Sequence, residues 1–276
     1  MSYAAILVHV EADSAASPRL ELAADLANQF GAALIGVGAE SYEPPTAAAA
    51  VGYADGATLV AEARVVEDDL KLAEQRFREA ARYVNQGSEW RCAVAVPAKL
   101  ILGQAAAADL IVAGPRRPEP YGFHNRADPG DLLMQAGRPV LVAPPELTAL
   151  DASNVVIAWK DTRESRRAVA DALPFLKRAK TVMVAGLCED RDAQTLQTEL
   201  HDVAGFLGRH GVKAGVTVRA PGKATVAEAV LEIADLQGAG LIVAGSYGHA
   251  RFREWAFGGV TEALLSGVHR AVLLSH

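Results

Sequence analysis

Short unbroken apolar runs alternate along this chain with longer stretches in which apolar residues return every three or four positions. Residues 108–114 read ADLIVAG and residues 240–245 read GLIVAG. An unbroken run of this length that ends in glycine is the pattern of a strand buried on both faces of a parallel sheet, leading into a tight turn. Residues 5–11 (AILVHVE) and 154–160 (NVVIAWK) are a second matched pair, and 137–143 (GRPVLVA) and 269–275 (HRAVLLS) a third. Between the runs the period changes. Leu22, Leu26 and Phe30 fall four apart, so they share one helix face, and Gly31 follows as a terminator. This predicts a helix over 18–30 and its counterpart over 164–177. Further strands are predicted over 33–37 and 181–187. Long amphipathic helices are predicted over 61–85 and 193–210, closed by Gly87 and Gly211.

Each half therefore reads β-α-β-α-β-α-β-α-β, which implies parallel strands joined by right-handed crossovers. The expected fold class is α/β, with two tandem doubly wound parallel five-stranded sheets, in domains 1–147 and 148–276. The boundary falls near Pro144-Pro145, whose missing N–H groups suit neither a helix interior nor an inner strand. Residues 41–58, rich in Ala, Gly and Pro, have no clear period and read as a loop or flap.

Composition narrows the function. With 51% apolar residues, two ordinary cores can be filled, yet no apolar stretch approaches the roughly 18 residues that a spanning helix needs. No Lys or Arg precedes the first apolar run and Glu11 ends it, so a cytoplasmic protein is expected. A net charge of −6 disfavours nucleic-acid binding, which needs a basic face. Cys92 and Cys188 lie in different halves and form neither a CxxC pair nor a metal spacing. No Walker sequence, Gly-x-Ser-x-Gly elbow or metal-ligand cluster is present. His249 invites an acid–base role, but a phosphate or partner contact suits its glycine loop better. His9 and His269 read as structural histidines at strand ends. No catalytic constellation emerges, and an enzymatic role, at most slow ATP hydrolysis, stays open.

A ligand in an open parallel sheet sits beyond the carboxyl ends of the strands, where strand order reverses. The loop after 241–245 is the place to look. It carries Gly245, Gly248 and Gly258, then Gly259, Val260 and Thr261 at the start of a predicted helix over 260–266, with Arg251 and Arg253 between. Glycines admit a phosphate close to the backbone, the helix start is electropositive, and arginines add charge-assisted bonds.

Here the chain resembles the universal stress protein family, in its tandem two-domain form. The family carries Gly-x2-Gly-x9-Gly-Ser/Thr after its fourth strand, and Gly245, Gly248 and Gly258 match both gaps. The resemblance spans nearly the whole chain. It implies the adenine nucleotide α-hydrolase-like fold, strand order 3-2-1-4-5 in each half, a stress-response role, and ATP or a related nucleotide as ligand. It implies no metal beyond one accompanying a nucleotide. The chain also departs from the family. Gly259 stands where ATP-binding members have Ser or Thr, and Thr261 is the nearby hydroxyl. Lys160 stands where those members have an Asp; lysine only donates hydrogen bonds, and Asp161 is the adjacent substitute. Trp159 either stacks on a base or fills space. In the first half Pro115, Arg116 and Arg117 follow Gly114, Gly130 comes three residues late, and Asp131 would repel phosphate. Any nucleotide is thus expected only in the C-terminal half, held by Gly245, Gly248, His249, Arg251, Gly258, Gly259, Val260, Thr261, Lys160 and Asp161. The rival expectation is a protein-interaction module of the same fold, with an unknown protein partner and no ligand. The family's habit of pairing final strands further predicts an internal pseudo-dimer with residues 139–143 beside 271–275, and leaves a homodimer possible.

Overall fold

A computed structural model of the chain describes residues 2–12, 17–41, 56–116, 127–188, 193–246, 259–266 and 269–276, with backbone alone for 56–59. The apolar runs form strands and the periodic stretches form helices, in the alternation the sequence predicts. The chain makes two compact units, one of residues 4–136 and 145–149, the other of residues 1–3, 137–144 and 150–276.

In the first unit the strands are β1 (Ala5–His9), β2 (Ala33–Glu40), β3 (Ser88–Val94) and β4 (Leu110–Ala113). They lie in the order β3-β2-β1-β4, all parallel. Crossovers run through α1 (Ser17–Phe30), α2 (Gly56–Ala81) and α3 (Pro97–Gln104), and α4 (Pro129–Gln135) follows β4. Ile6, Leu7, Val8, Leu34, Leu110, Ile111 and Val112 are buried on both sheet faces, which is why these strands read as unbroken apolar runs. Gly36 lets Phe77 of α2 lie flat on the sheet, since a Cβ there would stand 2.4 Å from the ring.

In the second unit β6 (Asn154–Trp159), β7 (Thr181–Leu187), β8 (Ala214–Arg219), β9 (Leu241–Gly245) and β10 (Ala271–Ser275) form the order β8-β7-β6-β9-β10, all parallel. Counted from the start of that half, this is 3-2-1-4-5. The expected pairing of final strands is also present: β5 (Val140–Val142) runs antiparallel to β10, with Leu141 opposite Leu273. β5 is grouped with the second unit, where its antiparallel pairing with β10 makes the sheet mixed.

The helices of this unit are α5 (Arg163–Asp171), α6 (Leu173–Leu176), α7 (Ala193–Arg209), α8 (Val226–Leu236) and α9 (Gly259–Leu265). The single helix predicted over 164–177 is divided at Ala172, because Pro174 has no N–H for the helical ladder. Gly211 closes α7 with φ +81, a conformation that side-chain-bearing residues rarely adopt. α8 starts on a capping box, in which Thr225 accepts from the Glu228 amide while Glu228 accepts from the Thr225 amide at 2.7 Å. Among the described residues no helix is long and apolar enough to cross a membrane.

Candidate functional site

Both units reverse strand order between their first and fourth strands, at β1/β4 and at β6/β9, and the two reversal points are built differently.

In the second unit β6 ends at Trp159 and β9 at Gly245. Gly245 has a packing reason to be glycine: a Cβ there would lie 2.3 Å from the amide nitrogen of Ser165 and 2.6 Å from the carbonyl carbon of Glu164. The first turn of α5 thus rests directly on the end of β9. Thr162 caps that turn by accepting from the Ser165 amide at 3.2 Å. Glu164 is buried, and Arg163 Nε donates to it at 3.0 Å. Burial pushes the Glu164 carboxyl upward, but its own backbone amide, Arg163 and Thr162 outweigh this and hold it below the ordinary carboxylate range. It is therefore a carboxylate at neutral pH.

Lys160 and Asp161, on the connection to α5, are exposed, and Asp161 accepts from Arg166. Ser246 is completely buried, and both its amide and its hydroxyl donate to the Ser275 carbonyl at 3.0 Å. The first step of the glycine loop is thereby tied to the last strand. Gly259 is exposed, Val260 half-buried and Thr261 buried at the start of α9, which packs against α8. Gly248, His249, Arg251 and Gly258 lie outside the described residues. The indole nitrogen of Trp159 is buried without a hydrogen-bond partner among the described residues.

In the first unit a side chain occupies the corresponding place. Arg19, in the first turn of α1, reaches across the ends of β1 and β4. Its Nη2 donates to the His9 carbonyl at 3.1 Å and to Glu11 Oε2 at 2.8 Å, and its Nη1 lies 2.5 Å from where a Cβ of Gly114 would be. His9 is 5% exposed, its Nδ1 is 3.7 Å from Glu11 Oε1, and its Nε2 has no partner among the described residues. Burial drives the His9 pKa down to about 4, aided by Arg19 and opposed by Glu11 and a backbone bond with Ala39. At neutral pH the cluster is a neutral imidazole beside a closed ion pair.

Beyond β4, Arg116 makes a two-pronged pair with Asp128, at 2.8 and 2.7 Å. Asp128 also caps α4, accepting from the amides of Gly130 at 2.6 Å and Asp131 at 3.4 Å. The Arg116 side chain is 15% exposed and committed to Asp128. Burial, with Asp128 nearby, raises the Asp131 carboxyl, and Arg116 offsets part of this. Arg117 lies outside the described residues. Among the described residues no group of three or more His, Cys, Asp or Glu is arranged to hold a metal ion.

The sequence did not single out Arg19, Glu164, Ser246 or Asp128. Asp128 was within reach, since an Asp directly before Pro129 is a helix-start signal. Arg19 and Gly114 are separated by most of the first half, so strand order must be known before they meet.

No family model and no curated protein matches the sequence. Solved structures do match the fold. A universal stress protein from Archaeoglobus fulgidus aligns over 98% of this chain and 97% of its own, with TM-score 0.71 and 16% identity. A functionally unknown protein from Pseudomonas aeruginosa aligns over 99% and 92%, with TM-score 0.59 and 16% identity. A putative universal stress protein from Pseudomonas aeruginosa aligns over 99% and 93%, with TM-score 0.55 and 16% identity. The chain thus has the fold of two-domain universal stress protein structures along its whole length.

Proposed function

We propose that this chain is a tandem universal stress protein of the cytoplasm, acting in the stress response, with a single nucleotide site in its C-terminal half. The observation that carries the reading is the asymmetry of the two reversal points. Arg19, Glu11 and His9 fill the first from within the chain. At the second, Lys160 and Asp161 remain exposed beside a strand that ends in the glycine motif. On this reading Gly245, Gly248, Gly258 and Gly259 bring backbone amides to the phosphates, with His249 and Arg251 contributing from the loop. Val260 and Thr261 continue from Gly259 into α9. Lys160 and Asp161 face the nucleoside side. ATP or a related nucleotide is the ligand. Affinity is modest, because Gly259 offers no hydroxyl and the buried carboxylate of Glu164 lies behind Gly245.

The second reading is an interaction module with no ligand. It is favoured by the structural employment of the motif's first two residues, since Gly245 accommodates the Ser165 amide and Ser246 anchors Ser275. One titration separates the readings. A ligand at a hundredfold excess over its dissociation constant stabilises the fold by about 2.7 kcal/mol. ATP is expected to raise the melting temperature of wild type and of Arg19→Ala, but not of Gly248→Val. A shift that survives Gly248→Val moves the site elsewhere, and no shift in wild type favours the interaction module.

A further inference from the structure

α2 (Gly56–Ala81) has 26 residues, against 17 in α7, the helix at the same place in the second half. Its buried side is Val66, Ala73, Phe77 and Ala81. At 100° per residue the direction opposite this stripe is that of Gln75, flanked along the helix by Asp68, Lys71 and Glu79, with Arg82 just past its end. All five are exposed; Asp68 and Lys71 retain 74% and 71% of their side-chain accessibility.

The charges along this stripe have a definite symmetry. Reading outward from Gln75, Lys71 and Glu79 stand at equal distances and carry opposite charge. Asp68 and Arg82 stand further out, again at equal distances and again opposite in charge. A like-charged face would not do this, and Arg78, which is also exposed, has Leu72 at its mirrored position. When a helix packs antiparallel on its own copy about a twofold axis through Gln75, every residue meets the one at the mirrored position. Lys71 then faces Glu79 of the copy and Asp68 faces Arg82, and each contact occurs twice. Along this face the side chains of Lys71, Glu74, Gln75, Arg78, Glu79 and Arg82 leave a shallow, open depression. Exposed Leu72 and Val65 border the stripe and add apolar area.

Within the chain these charges make local bonds: Lys71 to Asp68 at 3.0 Å, Gln75 to Glu79 at 3.0 Å and Arg78 to Glu74 at 2.5 Å. These hold the side chains along the helix and leave their outer faces available.

We propose that the outward face of α2 is a homodimerisation surface, in which two copies of this chain pair their α2 helices antiparallel about Gln75. Because the contact is largely ionic, it is a weak, salt-sensitive association. The experiment is sedimentation equilibrium on the full chain. A dimer is expected at high protein concentration in dilute buffer. It should dissociate in about 1 M salt, where the screening length falls to about 3 Å. Lys71→Glu, and separately Glu79→Lys, each removes two exposed pairs and adds repulsion. Each should weaken association on the order of tenfold. The double swap Lys71→Glu with Glu79→Lys restores complementarity, and should bring association back to near wild type. Far-UV circular dichroism verifies that the helix is intact in each variant. In a Cys92→Ser background, Gln75→Cys should form a disulfide-linked dimer on oxidation, since the axis sets Gln75 against itself. The proposal is overturned by a wild type that stays monomeric, by a dimer indifferent to Lys71→Glu, by a double swap that stays as weak as its parents, or by a Gln75→Cys chain that does not cross-link.

Discussion

Acidification tests the electrostatics of the first reversal point through one residue, His9. In the folded chain its imidazole titrates near pH 4, chiefly because burial opposes the charged form. In the unfolded chain it titrates near its ordinary value of about 6.5. Folding therefore favours the neutral ring. The stabilisation is complete above about pH 6.5, declines as pH falls from there, and is fully lost once pH passes below about 4. Over the whole window the difference amounts to about 3 kcal/mol, at 1.36 kcal/mol for each pH unit between the two values. Between pH 7 and pH 5 about 2 kcal/mol of this should disappear. Carboxylates held below their ordinary range, such as Glu164 and Glu228, lose stabilisation only at lower pH, while Asp131, raised by burial, acts with the opposite sign; the comparison with a chain lacking the imidazole is what isolates the histidine. The assay is urea unfolding followed by Trp90 fluorescence in a chain carrying Trp159→Phe and Trp255→Phe, so that the signal comes from the unit containing His9. His9→Gln keeps a polar side chain of similar reach without a titrating proton. Its stability should be nearly flat from pH 7 to pH 5. The reasoning is refuted if the parent chain is equally flat, or if His9→Gln loses as much as the parent.

Further substitutions test packing and capping. Gly245→Ala should destabilise the second unit by about 1–3 kcal/mol in urea unfolding, because its Cβ meets backbone of α5 rather than a movable side-chain tip. Gly205→Ala, inside α7 with nothing within 4 Å of the added carbon, should instead stabilise by about 0.5–1 kcal/mol; the opposite order of the two would refute the packing assignment. Thr225→Ala removes the capping box of α8 and should cost about 1 kcal/mol, with Thr225→Ser recovering most of it.

Much of the fold is written locally. β7 (Thr181–Leu187) and β9 (Leu241–Gly245) appear at the bounds their apolar runs predict, and α7 ends one residue before the predicted end, since Gly211 supplies its terminating turn. Such features depend on neighbours within a few positions. What the sequence withholds is carried by pairs that meet only after the sheet is ordered. Arg19 over Gly114 and the first turn of α5 on Gly245 are both of this kind. Neither leaves a periodic trace. Gly245 also shows how a motif residue can be legible for one reason and required for another. Its place in the glycine spacing suggests room for phosphate, while the Ser165 amide beside it already makes any side chain impossible to fit without movement. The glycines at 248 and 258 lie outside the described residues.

The difference between the halves follows from what each does with the polar groups at its strand ends. Parallel strands finish with backbone carbonyls that must find donors when they are buried. In the first unit the donor at β1 is Arg19, which answers the His9 carbonyl and at the same time neutralises Glu11. That arrangement satisfies the site from within, and it also brings an uncharged imidazole and a carboxylate to the place where an anionic ligand would need open cations. In the second unit the donor is Ser246, which gives both of its hydrogens to Ser275 at the end of β10, one strand removed from β6. The end of β6 is thereby left to Lys160 and Asp161, both in solvent. The two strand-order reversals share one backbone frame, and among the described residues no side chain of the second unit reaches across the strand ends as Arg19 does in the first. Arg19→Ala would remove the closure but leave Glu11 beside His9, a pairing that repels phosphate. Opening the first crevice is therefore not enough to make it bind a nucleotide, and that is why Arg19→Ala is expected to leave the ATP response of the whole chain where the second unit sets it.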